Sequence, residues 1–313
     1  MICFQDVSKK YGAVDALSGI TFEVPDGAIY GYIGPNGAGK TTSLKILTGL
    51  IRSFSGEVTV SGLGLRANRH EVQGKIGYVP QDVGFQEWRT VEHALETFAE
   101  LSGVAMSDRR RRIDSVLDLM GVQEHRKRRI VHLSGGTVQK IRIAQALLHD
   151  PAILIFDEPL SGLDPSSRFD VKNLLRRLRE EGKTVLLSSH ILSDIEDVAD
   201  RIGILNEGKL LKEGTPGELR EEFRIGTVFE LETDGSDIAA ADLDGVAHIE
   251  RVEFVDATTI RLHVETGIDA DSVSGEILRA LLSSGRPVRA FAQIRPSLED
   301  VYISLTGGHR NGD

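Results

Sequence analysis

Residues 34–42 read GPNGAGKTT, and this stretch decides the fold of the chain. It matches the pattern G-x-x-x-x-G-K-[ST] of a phosphate-binding loop, or P-loop. The four fixed positions are Gly34, Gly39, Lys40 and Thr41. Residues 28–33 before the loop are typical of a strand, and residues 42–47 after it are typical of a helix. A strand, a glycine-rich loop and a helix in this order predict a P-loop in an α/β fold.

The composition of this loop predicts a site for a triphosphate. Successive backbone N–H groups can point inward because no Cβ blocks the approach, and the helix N-terminus adds partial positive charge. We expect Lys40 to reach the β- and γ-phosphates and the Thr41 hydroxyl to bind Mg²⁺. A dinucleotide loop is excluded, because the glycine spacing is not G-x-G-x-x-G. The residues expected to contact the ligand are Gly34, Pro35, Asn36, Gly37, Ala38, Gly39, Lys40, Thr41 and Thr42.

Length and composition describe an ordinary globular protein. The 313 residues suffice for one large domain or two smaller ones, each with its own core. The single cysteine, Cys3, excludes a disulfide framework and a cysteine–metal site. The sequence has no apolar run long enough to span a membrane and no signal-peptide pattern at its start. We therefore expect a soluble, cytoplasmic protein.

Charge is unevenly distributed along the chain. The net charge is −10, and residues 221–313 alone contain 18 Asp and Glu, 8 Arg and no Lys. The acidic segment therefore carries the whole excess, which predicts a domain boundary near residue 220. An acidic protein is a poor partner for a phosphate backbone, so nucleic acid is not expected as the main partner. A simple role of the acidic segment in solubility is the alternative.

The pattern of apolar residues indicates an α/β core followed by a smaller α+β domain. The continuous apolar run at 153–156 is typical of a strand buried in a parallel sheet, and 184–189 and 201–205 are predicted as a second and a third such strand. Residues 90–121 show helical periodicity, interpreted as two helices. Further strands are predicted at 2–4, 20–24, 56–62, 76–80, 228–232, 252–255, 259–264 and 288–294, and further helices at 141–148, 271–282 and 298–305.

Two acidic residues follow the buried run 153–156. The carboxyl end of a parallel strand lies at the ligand-binding edge of the sheet. Asp157 there fits the carboxylate that holds Mg²⁺ in P-loop proteins, and Glu158 is placed to accept a proton from an attacking water. Two carboxylates that merely cap a helix would be the alternative without the P-loop.

Three further segments have polar groups at helix or strand ends. Ser134, Gly135 and Gly136 precede a helical run and offer a hydroxyl and free N–H groups to a second anion. Residues 159–164 follow Glu158 directly, and His190 ends the buried run 184–189 at the ligand edge.

These motifs, in this order and spacing, resemble the ABC ATPase domain. The resemblance covers about residues 1–220, with a helical subdomain at about 85–150, and implies ATP and Mg²⁺ as cofactors. It implies that Tyr11 stacks on adenine, that Gln81 senses Mg²⁺ and the attacking water, and that His190 contacts the γ-phosphate. Tyr11 could instead be a surface aromatic, and Gln81 and His190 could be structural.

The same resemblance implies a head-to-tail dimer. Ser134, Gly135 and Gly136 would then cap the γ-phosphate of ATP bound by the opposite subunit, and Asp164 would couple the two sites. The chain departs from the common pattern at Thr137, Lys140 and Leu160, none of which removes a catalytic group. The predicted catalytic residues are Lys40, Gln81, Glu158 and His190, and the predicted metal ligands are Thr41, Gln81 and Asp157.

Residues 297–305 resemble the tail of ATPases that serve ABC-2-type exporters. This resemblance implies a subunit that powers a separate membrane permease. By binding that permease, the subunit would be held at the inner face of the cell membrane. An importer ATPase with a regulatory domain and a soluble ABC ATPase without a permease remain alternatives. The interval between residues 42 and 134 is too short for the long coiled coil of DNA-repair members. The cargo is not encoded in any motif.

Overall fold

The P-loop strand lies in the middle of a six-stranded sheet in the computed structural model of the protein. The structure describes residues 1–81, 84–222, 227–233, 246–265, 268–283, 287–294 and 302. The chain divides into two units, Met1–Pro216 and Gly217–Asp313, which we describe separately.

The strands of the first unit are β1 (Ile2–Tyr11), β2 (Val14–Val24), β3 (Ile29–Ile33), β4 (Ser55–Val60), β5 (Leu63–Gly64), β6 (Ile76–Val79), β7 (Ile153–Phe156), β8 (Thr184–Ser189), β9 (Arg201–Asn206) and β10 (Lys209–Gly214). Its helices are α1 (Lys40–Leu47), α2 (Arg69–Gly74), α3 (Val91–Leu101), α4 (Met106–Met120), α5 (Gly135–Leu147), α6 (Pro165–Glu180) and α7 (Leu192–Glu196). Helix α8 (Pro216–Glu222) begins at the last residue of this unit.

The six-stranded sheet has the order β10-β9-β3-β8-β7-β6. Its strands are parallel except for β10, which forms an antiparallel hairpin with β9. Every residue of β3, β7 and β8 is buried, as expected for strands covered on both faces. The prediction of buried parallel strands is confirmed, and the neighbours β3, β8 and β7 end at the same edge of the sheet.

A second, antiparallel sheet of order β2-β1-β4-β5 supplies much of the same core. The Phe22 ring stacks on Phe4 at 4.5 Å and lies 5.4 Å from Tyr30 and 5.2 Å from Tyr32 of β3. Large aromatic surfaces buried in this way are a main source of packing energy. The two sheets therefore share one hydrophobic cluster.

The predicted strands at 2–4 and 20–24 were too short. In the structure β1 runs for 10 residues and β2 for 11, because pairing continues through polar positions. The register shifts between Phe4 and Val7, where Asp6 adopts a left-handed φ of 49°. Bulges of this kind break the alternation that marks a strand in sequence. Strand β10 was also not predicted.

The predicted helical region 90–121 is two helices, α3 and α4, as expected. Thr90 caps α3 by accepting a hydrogen bond from the His93 N–H at 3.3 Å. Helix α4 ends at Met120, and the next residue, Gly121, has a φ of 63°, the left-handed conformation that terminates helices. The apolar residues Ile113, Val116, Leu117 and Met120 form the buried face of α4.

The second unit has an antiparallel sheet of order β12-β13-β11-β14. These strands are β11 (Val228–Thr233), β12 (Ile249–Phe254), β13 (Thr259–Val264) and β14 (Val288–Ile294), and helix α9 (Ala270–Ser283) precedes β14. Val273, Ile277 and Leu281 of α9 are buried in a cluster with strand residues such as Leu231 and Leu262. The α+β prediction is thus confirmed for this unit, while the predicted helix 298–305 lies outside the described residues except for Tyr302.

Candidate active site

The ends of three neighbouring strands bring the P-loop, the acidic pair and His190 together. The P-loop follows β3, Asp157 and Glu158 follow β7, and His190 follows β8, which lies between those two strands. Helix α1 begins at Lys40, two residues earlier than predicted. Adding a Cβ to Gly39 would place it 2.5 Å from the Ala16 carbonyl oxygen, so this position of the loop requires glycine.

Lys40 is buried and already has three oxygen partners. Its Nζ donates to the carbonyl oxygens of Gly34 at 2.6 Å and Pro35 at 3.2 Å, and lies 3.3 Å from Glu158 Oε1. The lysine is 6% exposed, so its charge is held within the site rather than in solvent. The ammonium is therefore placed between the loop that would cradle phosphate and the carboxylate of Glu158.

Asp157 lies at the floor of the site with one carboxylate oxygen unpartnered. Its Oδ1 accepts from the hydroxyls of Thr41 at 3.2 Å and Ser188 at 2.7 Å. Its Oδ2 is buried and has no hydrogen-bond partner among the residues that the structure describes. Burial raises the pKa of Asp157, and the two hydroxyls partly oppose this effect.

This arrangement fits a magnesium ion. Magnesium is bound by hard oxygen ligands, and a buried carboxylate oxygen without a partner is costly unless something binds it. Asp157 Oδ2 and the adjacent Thr41 hydroxyl are oxygen atoms that would serve as such ligands, with phosphate and water oxygens supplying the others.

Glu158 is held on three sides. Its backbone N–H donates to Ser188 Oγ at 3.0 Å, its Oε1 lies by Lys40, and its Oε2 lies 2.8 Å from His190 Nδ1. Its φ of 53° is left-handed, which is strained for a residue with a Cβ. Strain of this kind persists only where the surroundings fix it, and here it aims the carboxylate into the site.

Ser188 is the functional residue that sequence reasoning did not assign. One hydroxyl donates to Asp157 Oδ1 and accepts from the Glu158 N–H, so it positions both acids. The available signal was a hydroxyl near the end of a fully buried strand, next to the strand that carries the acids.

Tyr11 and Gln81 are both exposed at the ends of strands. Tyr11 ends β1, and Lys9 Nζ lies 4.8 Å from the centre of its ring. Gln81 follows β6, whose last residue, Val79, accepts a hydrogen bond from the Asp157 N–H at 2.9 Å. Gln81 is thus two residues beyond a strand end that is hydrogen-bonded to Asp157, at the same edge of the sheet.

Ser134 and Asp164 form a second group, in which each caps its own helix. Ser134 caps α5 by accepting from the Thr137 N–H at 3.3 Å, and Asp164 caps α6 by accepting from the Ser167 N–H at 3.0 Å. Gly136, in the first turn of α5, lies against the first turn of α6. The starts of α5 and α6 therefore lie next to each other. None of the hydrogen bonds described for Ser134 and Asp164 reaches the P-loop.

Comparison with known proteins gives matches in both units. Residues 17–161 match the model of the family described as ABC transporter. The bacitracin transport ATP-binding protein BcrA of Enterococcus faecalis is 34% identical over 306 residues, 97% of this chain and 96% of the relative. The chain belongs to the ABC transporter ATP-binding proteins. Residues 214–306 match a second family model, the C-terminal domain of DrrA1-3-like ATP-binding proteins.

Other similar proteins support the same family. The daunorubicin resistance ATP-binding protein DrrA3 of Streptomyces coeruleorubidus is 32% identical and covers 99% of this ATP-binding protein and 96% of the relative. A solved ATP-binding subunit of an ABC transporter has a TM-score of 0.64 at 30% identity, covering 71% of this chain and 93% of its own. A dimeric cassette solved with ADP and Pi after hydrolysis has a TM-score of 0.62 at 26% identity, covering 69% and 98%.

The resemblance read from the motifs is therefore confirmed, and this ABC protein is an ATP-hydrolysing enzyme. Its α/β ATPase fold with a C-terminal α+β domain is confirmed as well. Among the residues that the structure describes, no helix combines the length and apolarity needed to span a bilayer.

Proposed function

We propose that this ATP-binding protein powers a separate membrane permease of the ABC-2 exporter type. The observation that carries the proposal is that similarity extends through both units of the chain. Three relatives each match 97% or more of this chain: BcrA, DrrA3 and the linearmycin resistance protein LnrL of Bacillus subtilis. Their names refer to transport of antibiotics or to resistance against them. We propose the domain limits 1–220 and 221–313, with the helical subdomain at about 85–150.

Hydrolysis is assigned to the groups at the sheet edge. Lys40 and the P-loop amides stabilise charge on the phosphates, while Thr41, Asp157 and Gln81 are the proposed metal ligands. A bound Mg²⁺ would neutralise charge on the phosphate oxygens. Glu158 accepts the proton of the attacking water, which its buried and oriented carboxylate favours.

His190 has the supporting role in this assignment. Its Nδ1 contacts Glu158 at 2.8 Å, while the ring is 38% exposed. We propose that the ring orients the carboxylate and reaches the γ-phosphate. Tyr11, exposed at the end of β1, is the proposed adenine platform.

The signature residues are assigned to a second subunit's nucleotide. Ser134, Gly135 and Gly136 form the start of α5, where the first backbone N–H groups of a helix have no carbonyl partner within it, and Asp164 begins α6 beside them. Two subunits in head-to-tail order would each place this turn on the other's ATP. The dimeric form of a similar cassette supports this arrangement. The proposed site of action is the cytoplasmic face of the membrane, through contact with the permease.

A pull-down from native membranes tests the transport role. Tagged Glu158→Gln protein, expected to bind nucleotide without hydrolysing it, is incubated with Mg-ATP, and its partners are identified by mass spectrometry. The matched control omits nucleotide. Recovery of a multi-span permease supports the proposal, whereas recovery of only ribosomal or nucleic-acid-binding proteins contradicts it and favours a soluble ABC ATPase.

A further inference from the structure

The helices α5 and α6 begin side by side, in contact at one glycine. A Cβ added to Gly136 would lie 2.1 Å from Ser167 Oγ, 2.8 Å from Ser167 Cβ and 3.8 Å from Asp164 Oδ2. Real side chains do not approach this closely. Among the described residues beyond its own turn of helix, nothing lies within 4 Å of a Cβ added to the neighbouring Gly135. Of these two glycines, only Gly136 is thus required by a neighbour within the chain.

The hydroxyl that presses on Gly136 is fixed in place by Asp164. Ser167 Oγ donates to Asp164 Oδ2 at 2.7 Å, and the Ser167 N–H donates to Asp164 Oδ1 at 3.0 Å. These bonds hold the pKa of Asp164 below its usual value. The carboxylate remains ionised as an acceptor, and the Ser167 side chain has little freedom to turn away from Gly136.

The same turn of α6 is also tied to the segment after His190. Arg168 Nε donates to the Leu163 carbonyl at 3.1 Å, and its Nη1 lies 3.6 Å from Asp194 Oδ2 on α7. Asp194 is 5% exposed, and Lys172 of α6 lies 3.3 Å from its Oδ1. The first turns of α6 therefore have fixed neighbours on two sides.

We propose that Ser167 is a positioning residue that holds the signature turn, Ser134–Gly136, and Asp164 in one fixed relation. The inference rests on the proposed function, in which both groups face the nucleotide of the second subunit. Close-packed groups move together rather than deform independently. A shift of the signature turn on nucleotide binding is transmitted to Asp164 through the Ser167 side chain.

The contact itself is tested by compensation within one chain. Gly136→Ala should lower the unfolding midpoint of the nucleotide-free protein, because the new methyl group overlaps Ser167. Gly135→Ala, the matched change one residue earlier, should lower it less. Adding Ser167→Gly to Gly136→Ala should restore stability toward that of Ser167→Gly alone. A double variant as unstable as the sum of the two single changes contradicts the contact.

The positioning role is tested by nucleotide-driven dimer formation in the Glu158→Gln background. Ser167→Ala keeps the backbone cap of α6 but removes the hydroxyl bond to Asp164, so we expect the dimer dissociation constant to rise about tenfold, as for loss of a charged hydrogen bond. Nucleotide affinity of the monomer should stay unchanged. The matched control is Ser166→Ala, an exposed serine in the same turn, which should leave dimer formation unaltered.

The outcomes separate the two proposals. If Glu158→Gln protein with Mg-ATP remains monomeric, the homodimer of the proposed function fails, and the positioning role fails with it. If Glu158→Gln dimerises and Ser167→Ala dimerises equally well, only the positioning role is overturned. A Ser167→Ala variant that weakens monomer nucleotide binding and dimer formation to the same degree also overturns it.

Discussion

Glu158 shows at the scale of one residue how conformation and contact serve one role. Its backbone is left-handed, and its N–H is bonded to Ser188. Lys40 and His190 contact the two carboxylate oxygens, so the orientation of the carboxylate is fixed. A strained conformation costs on the order of 1–3 kcal/mol, which the surrounding contacts must offset. The side chain is therefore held in place by contacts within the protein.

Substitution of Glu158 by Gln should separate binding from hydrolysis. The amide has the same size and keeps a hydrogen-bonding group near His190, but it cannot accept a proton from water. We expect turnover to fall by about 10²–10³-fold, the loss seen when one preorganised group is removed, with nucleotide affinity retained. Steady-state hydrolysis and equilibrium binding on the same sample measure both, and near-normal hydrolysis would exclude Glu158 as the base.

His149 is a half-buried histidine at the end of the helical region. Its Nε2 lies 3.2 Å from the Ile76 carbonyl oxygen, and burial lowers its pKa below the ordinary value of 6.5. The charged groups around it are Arg112, Asp150 and Lys183. The folded protein therefore binds fewer protons at this ring than the unfolded chain does. The stability due to neutral His149 is present above pH 6.5 and is lost as the pH falls through the lowered pKa.

Replacement of His149 by Gln should reduce this acid sensitivity. The glutamine amide can still donate to the Ile76 carbonyl but does not titrate. Between about pH 7.5 and pH 5, the unfolding free energy should fall less for His149→Gln than for the wild type. The variant lacks the imidazole that takes up a proton when the protein unfolds in this range. Denaturant titrations at each pH measure this difference. His132→Gln, which changes an exposed histidine, is the control, and identical pH profiles for all three proteins would contradict the prediction.

The sequence predicted that Asp157, Glu158 and His190 lie at one edge of the sheet, but not how they are bonded. Each of these residues follows a buried strand, and the ends of adjacent parallel strands are neighbours by geometry. The role of Ser188 depends on a rotamer and on which strands are adjacent, and neither is encoded in local composition. The hydrogen bonds from Lys40 to the carbonyl oxygens of Gly34 and Pro35 were likewise not predictable, since they depend on how the backbone of the loop curves around the ammonium group.

Strand β6 illustrates at the scale of elements how tightly a sheet packs against a helix. A Cβ at Gly77 would lie 2.3 Å from the Ala146 carbonyl oxygen of α5 and 2.9 Å from Pro151. A backbone atom cannot move aside as a flexible side chain can. Residue 77 is therefore a point of contact between the sheet and the helix that carries the signature turn.

Gly77→Ala should destabilise the protein by about 1–3 kcal/mol, the usual cost of overpacking. Gly74→Ala is the matched control. This position ends a helix, and beyond that helix no part of the chain that the structure describes lies within 4 Å of the added atom. Chemical denaturation of both variants measures the difference. Equal stabilities would show that α5 can shift away from β6 without cost.

Element types were predicted better than element limits. Strands at 259–264 and 288–294 and the buried strand at 153–156 have the predicted bounds, since turn residues or apolar runs mark their ends. Strands β1 and β2 extend beyond the predicted ends because bulges interrupt their alternation. Strand β9 lies where a strand was predicted at 201–205, but β10 was not predicted, because the mixed sequence Lys209–Gly214 has no strand pattern.

At the scale of the whole molecule, each of the two units has a hydrophobic cluster of its own. One cluster is drawn from residues between Ile2 and Leu210, and the other from residues between Phe229 and Phe291. We expect two unfolding transitions in calorimetry. Mg-ATP should raise only the transition of the first unit, since a ligand stabilises the part that binds it.

The variant Leu262→Ala tests which of the two unfolding transitions belongs to the second unit. Leu262 is fully buried in β13, and truncating such a leucine costs about 2–5 kcal/mol. The lower stability should appear in the transition that nucleotide leaves unchanged, while hydrolysis by the first unit persists. A single transition that responds to both nucleotide and Leu262→Ala would show instead that the two units unfold as one.

The pairing of Lys40 with Glu158, beside Asp157, has a consequence for the first encounter with nucleotide. The two carboxylates outnumber the one ammonium, so the formal charge of this group of side chains repels an anion. Long-range attraction from these side chains cannot guide ATP into the site. Capture then depends on short-range dipoles of the loop amides, and the association rate should gain little from low ionic strength, unlike that of enzymes that steer their substrates by charge.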